Sequence, residues 1–262
     1  MWRRDTLKSR ILRSLIPERI PWFAARLYDQ IASSAIETYY KEVAKGVTGH
    51  TSHGLVLDVG TGPGYLPIEI AKRAPQITVV GIDSSKALVR IARQNAERQG
   101  LSDRVRFVKC DGNRLDFADD SYDLVISTGS LHAWKNPVLV INECFRVLKP
   151  GCEAWLLDPA HIITPEAQQV MGSGLKGVDR LANWWGAFTS KLTPPYTVRE
   201  IEEIILQTKF KKGTVVEEKW LTVKLRKHAS RAIQARQRPH DEVSGESHNS
   251  RNGSHQGPTF RS

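Results

Sequence analysis

The chain has 262 residues, 40% of them hydrophobic and 25% charged, an ordinary globular balance with room for one large α/β domain plus extensions. Its net charge of +10 lies at the ends: residues 1–26 carry seven Lys/Arg against two Asp/Glu, residues 224–262 eight against three, and residues 27–223 carry 23 of each sign. A neutral middle excludes a broad basic groove for nucleic acid, whereas basic ends suit contact with an anionic membrane surface. No run of about 18 apolar residues exists, so no spanning helix is expected. Met1-Trp2-Arg3-Arg4-Asp5 lacks the apolar core of a secretory signal. Cys110, Cys144 and Cys152 are odd in number and far apart, which fits reduced thiols in a cytoplasmic protein and no metal site.

Residues 6–16 can form a short basic amphipathic helix. Leu7, Ile11 and Leu15 share one face, and Lys8, Arg10 and Arg13 lie elsewhere. Docking on a membrane surface and packing on the chain's own domain are both open. From Trp22 to Val43 the apolar residues Phe23, Leu27, Ile31, Ala35, Tyr39 and Val43 keep helical spacing, which predicts a helical cap; residues 1–50 form this N-terminal region.

Leu55 to Val59 is an apolar run with Asp58 near its end, followed by Gly60-Thr61-Gly62-Pro63-Gly64-Tyr65 and a helical pattern from Leu66. A strand covered on both faces reads this way, and the glycines let backbone approach a ligand. Residues 76–83 form a second strand that ends on Asp83, 19 residues past Gly64. A carboxylate there can accept ribose hydroxyls or cap the next helix. Residues 86–100 read as a helix, 105–110 as a third strand leading to Asp111-Gly112-Asn113, and 122–128 as a fourth leading to Gly129-Ser130-Leu131-His132-Ala133-Trp134.

The spacing departs from the dinucleotide fingerprint G-x-G-x-x-G/A, because Tyr65 stands in the sixth position and Asp58 would repel a pyrophosphate. Asp58-Val59-Gly60-Thr61-Gly62-Pro63-Gly64 instead resembles motif I of the class I S-adenosylmethionine (SAM) methyltransferases, D-x-G-x-G-x-G. Tyr28-Asp29, Asp83, Asp111-Gly112, the Leu131-His132-Ala133-Trp134 element and Arg146-Val147-Leu148-Lys149-Pro150-Gly151 resemble further motifs of the ubiquinone/menaquinone-biosynthesis type. Three departures stand out: Ala133 replaces a second His, Asn136 replaces an Asp, and Cys152 replaces the last glycine of the R-x-L-K-P-G-G turn. The resemblance spans residues 27–158.

That resemblance implies a doubly wound, Rossmann-like, seven-stranded α/β domain over residues 51–228. It implies SAM as cofactor, held by Tyr28, Asp58, Gly60, Thr61, Gly62 and Gly64, and by Asp83, Ser84, Asp111, Gly112 and Ser127. The acceptor would meet Leu131, His132 and Trp134, with His132 the candidate catalytic residue. A small, apolar acceptor is expected rather than nucleic acid. A nicotinamide-dependent oxidoreductase, a non-catalytic SAM-binding module and an RNA methyltransferase recruited through the basic ends are the rival readings.

Residues 159–196 read as a substrate-side insertion with Trp184, Trp185 and Phe188. Thr197-Val198-Arg199-Glu200 reads as a capping box, and residues 213–225 as the closing strands. Residues 229–262, with little to bury, are expected to be a disordered basic tail.

Overall fold

The computed structural model describes residues 25–34, 39–159, 196–218 and 220–228. The proposed helix at residues 6–16, nearly all of the 159–196 insertion and the tail from residue 229 lie outside these residues. Among the described residues two helices come first, α1 (Ala25–Ser34) and α2 (Lys41–His50). Strands and helices then alternate: β1 (His53–Val59), α3 (Tyr65–Arg73), β2 (Gln76–Asp83), α4 (Lys86–Arg98), β3 (Val105–Lys109) and β4 (Tyr122–Thr128). After a 3-10 turn at Leu131–Ala133 come α5 (Pro137–Val147), β5 (Leu148–Pro159), α6 (Val198–Gln207), β6 (Thr214–Glu217) and β7 (Trp220–Arg226).

The seven strands form one sheet in the order β3-β2-β1-β4-β5-β7-β6. β1 to β5 run parallel, and β7 lies antiparallel between β5 and β6. Parallel neighbours need crossovers, which cover both faces of the sheet. This explains the unbroken apolar runs of the central strands. Leu57, Val80, Val125 and Ala154 join the core on one face, and their chain neighbours Val56, Val79, Leu124 and Trp155 join the core on the other.

Local signals set the element ends. Ser85 Oγ accepts the Leu88 N–H at the start of α4, and Asn136 caps α5 with Pro137 at its first position. Thr197 and Glu200 complete the expected capping box on α6. The fifth strand starts at Leu148, ahead of the Lys149-Pro150-Gly151 turn. Tyr122 pairs with Leu148 and Leu124 with Glu153, so the Lys-Pro-Gly turn is a bulge within β5. The helical cap expected from Trp22 to Val43 holds α1 and the first three residues of α2, which runs on to His50.

From β1 the chain winds outward to β3, then returns to place β4 on the other side of β1. Crossovers therefore diverge at the carboxyl ends of β1 and β4 and open a crevice there. Both the glycine loop and the His132 segment leave the sheet at this crevice.

Candidate functional site

The loop after β1 is held against β2. The Gly60 and Thr61 N–H groups donate to the Ile82 carbonyl at 2.9 and 2.8 Å, and the Gly64 N–H donates to the Thr61 carbonyl at 3.0 Å. Gly60, Gly62 and Gly64 have φ of 79°, 54° and 82°, the left-handed region that a side chain resists. A Cβ on Gly60 would lie 2.5 Å from Ser130 Cβ, so the glycine lets the loop close onto the β4 segment. At Gly64 a Cβ would instead run into Phe107 and Ala92, so this glycine lets α3 pack onto the sheet and α4.

Asp83 is oriented by this loop. The Gly62 N–H donates to its Oδ2 at 3.0 Å and the Ser85 N–H to its Oδ1 at 2.7 Å. Each oxygen retains a lone pair for a ligand hydroxyl. Burial pushes the carboxyl of Asp83 up, against the pull of these two N–H donors. Asp58 is 1% exposed, and among the described residues neither its oxygens nor Thr61 Oγ1 has a hydrogen-bond partner. Burial, with Asp83 adding to it, pushes Asp58 up to about 7; the nearby Thr61 hydroxyl opposes this without reaching hydrogen-bond geometry.

A cleft with about 730 Å³ of empty space, part of it open to solvent, lies over this loop. Of the expected residues, Tyr28, Gly60, Gly62, Asp83, Ser84, Asp111, Gly112 and Trp134 line it together. Tyr28, whose phenol is pushed up to about 12 by burial and then by Asp83 and Asp158, lies close to Gly62. The Asn113 backbone N–H and side-chain amide both donate to Asp111 Oδ1 at 2.9 Å.

Other expected residues lie off the cleft wall. Asp58 near the end of β1, and Thr61 and Gly64 within the loop, are buried and do not line the cleft, and Leu131, 1% exposed, belongs to the hydrophobic core. Ser127 is buried and shares a 2.6 Å hydrogen bond with Ser130, which in turn donates to the Val59 carbonyl. Ile82, Leu88, Cys110, Ser130 and Val140 also line the cleft, although the sequence alone does not assign them to the site. Ile82, Leu88, Cys110 and Val140 give the cleft apolar flanks; Leu88 lies three residues past the helix cap Ser85 and Val140 four past the helix cap Asn136, and this helix spacing is the sequence signal that could have found those two.

His132 stands beside the cleft and is fixed from behind. Its backbone N–H donates to Asp158 Oδ2 at 3.0 Å, and its Nδ1 lies 3.1 and 3.0 Å from the two carboxylate oxygens. Asp158, at the end of β5, is fully buried, whereas the His132 side chain is 22% exposed. Among the described residues no group of His, Cys, Asp and Glu could hold a metal ion, and no helix is long and apolar enough to cross a membrane.

Positive-φ glycines under an open cleft, an oriented acid at the end of β2 and an unpartnered buried acid at the end of β1 fit a ligand bearing ribose hydroxyls and positive charge. SAM has both. The topology and this site together define a class I SAM-dependent methyltransferase domain. Residues 50–219 match the methyltransferase domain family model, and the chain belongs to that family.

Its relatives include a demethylmenaquinone methyltransferase of Porphyromonas gingivalis, 34% identical over 52% of this chain and 51% of that protein. The sterol 24-C-methyltransferase erg6 of Aspergillus fumigatus is 35% identical over 51% of this chain and 38% of that protein. The chain thus spans about half the length or less of these curated relatives. A candidate SAM-dependent methyltransferase of Methanococcus maripaludis shares the fold, with a TM-score of 0.69 at 20% identity, covering 84% of this chain and 100% of the other.

Proposed function

We propose that the chain transfers the methyl group of SAM to a small, apolar acceptor whose nucleophilic atom gives up a proton, with His132 as the base. The His132–Asp158 pair carries this reading. A buried carboxylate against Nδ1 sets a proton there and leaves Nε2 with the basic lone pair. It also stabilises the imidazolium that forms when His132 takes the acceptor's proton.

Bound SAM supplies a methyl group already activated by its sulfonium charge. The chain's own work is then to bind, align and exclude water. Asp83 is set to accept ribose hydroxyls, and Asp111 and Gly112 stand where the adenine edge would lie. Ile82, Leu88, Cys110 and Val140 would flank the ring. Tyr28 and Trp134 narrow the cleft and keep water from the methyl group.

An apolar acceptor is supported from two directions. Residues 27–223 are electrically neutral overall, so a polyanionic acceptor has no extended counter-charge. The related proteins are named for demethylmenaquinone, 2-methyl-6-phytyl-1,4-hydroquinone and a sterol. The basic ends we assign to contact with an anionic membrane, where such acceptors dissolve.

His132→Ala tests the base. Turnover should fall by roughly 10²–10⁴-fold, the range for a positioned base, while SAM affinity stays nearly unchanged. Normal turnover would remove His132 from the mechanism, and joint loss of binding and turnover would make it structural.

A further inference from the structure

The carboxylate next to Tyr28 in the chain does a separate job. Asp29 Oδ1 accepts the Tyr65 hydroxyl at 2.7 Å and, more weakly, the Asn95 side-chain amide at 3.4 Å. The same Asn95 amide donates to the Pro63 carbonyl at 3.0 Å, and Arg98 donates to the Asn95 side-chain oxygen at 3.2 Å. One acceptor on α1 therefore meets the first residue of α3 and a residue of α4. Both donors adjoin the glycine loop: Tyr65 follows Gly64 directly, and Asn95 holds Pro63.

Tyr28 and Asp29 are consecutive on a helix, so they leave it about 100° apart. Asp29 faces Tyr65 and Asn95, while Tyr28 faces the cleft. A Cβ on Gly62 would lie 3.4 Å from Tyr28 Cε1, so the ring rests close to the loop backbone. Tyr65 is held as a donor, because burial and then the bond to Asp29 push its phenol well above the ordinary value.

We infer that Asp29, Tyr65 and Asn95 form a latch that positions Tyr28 over the cofactor cleft and sets the rate at which SAM and its product exchange. Tyr28 lines the cleft beside Gly62, so a ligand seated on the loop backbone exchanges past its ring, and α1 carries that ring. The latch holds α1 against the same loop that holds the ligand. Opening it breaks a charge-assisted hydrogen bond as well as moving a ring. The inference rests on the cofactor site and not on the identity of the acceptor.

Release of tritiated SAM into excess unlabelled SAM, timed by rapid filtration, tests it. The variants are Tyr65→Phe, Asp29→Asn and the pair, each made with Tyr28 present and with Tyr28→Ala. With Tyr28 present, each single variant should release label about tenfold faster, as loss of a hydrogen bond to a charged group implies. The pair should be no faster than the faster single variant, because both changes remove one interaction. With Tyr28→Ala, release should already be fast and the latch variants should add nothing. Release at the wild-type rate in both single variants would overturn the inference. So would an equal acceleration with and without Tyr28, which would mark a general loosening of the fold. A wild-type chain that retains no label would overturn the cofactor site and the latch together.

Discussion

Asp158 meets His132 at two points, accepting its backbone N–H at Oδ2 and facing its Nδ1 with both oxygens at 3.0–3.1 Å. The two residues lie 26 positions apart and come together because β4 and β5 pair in parallel with Thr128 opposite Leu157. Asp158→Asn keeps the shape but removes the charge that supports an imidazolium. On the proposed mechanism turnover should drop by about 10²-fold or more, with SAM affinity nearly unchanged. Combined with His132→Ala, it should cost little further, since the two act as one unit. Single-turnover methyl transfer and calorimetric SAM binding on the same preparations check this.

Asp83 carries the ribose end of the site. Asp83→Asn leaves an oxygen for either the Gly62 or the Ser85 N–H but loses a charged acceptor. Hydrogen bonds to charged groups contribute about 1.5–3 kcal/mol each. SAM affinity should therefore fall roughly tenfold or more. Calorimetry with a variant that melts like the wild type checks it, and unchanged affinity would remove Asp83 from the site.

Asp58 should make the ligand-free chain pH-sensitive. Its carboxyl rises from 3.8 to about 7 on folding, through burial first and Asp83 next, against the Thr61 hydroxyl. Tyr39 and Tyr40, which also face it, are themselves pushed up by burial and bring no positive charge. Between about pH 4 and pH 7 the folded chain keeps a proton that the unfolded chain releases. Stability must therefore fall as pH rises through this window, by up to about 4 kcal/mol, with the full penalty present above it. Asp58→Asn abolishes this contribution. Urea unfolding from pH 4 to pH 8 should show wild-type stability declining relative to the variant, and a constant difference between the two would contradict the assignment.

Much of the fold is legible because its signals are local. An apolar run, positive-φ glycines and a helical pattern identify β1, its loop and α3, and Asp83 stands at the end of the next such run. Tertiary features are not legible in this way. Asp158 has no motif of its own, and its tie to His132 depends on strand register. Tyr65 stands out in the sequence only as too bulky for a dinucleotide loop, yet its hydroxyl reaches a residue 36 positions earlier. Gly64 belongs to the glycine motif but serves helix packing, and Leu131 lies next to His132 but points into the core. The bulge in β5 hides the start of that strand, because an extended segment interrupted by Lys-Pro-Gly reads as a turn.

The most direct measurement follows the methyl group itself. The purified chain is incubated with methyl-labelled SAM and a whole-cell extract, and the label is then partitioned between organic solvent, nucleic acid, protein and water before mass spectrometry. The account predicts label in a small organic-soluble product, lost with His132→Ala although that variant still binds SAM. Label in RNA or protein, or transfer that persists without His132, would contradict it.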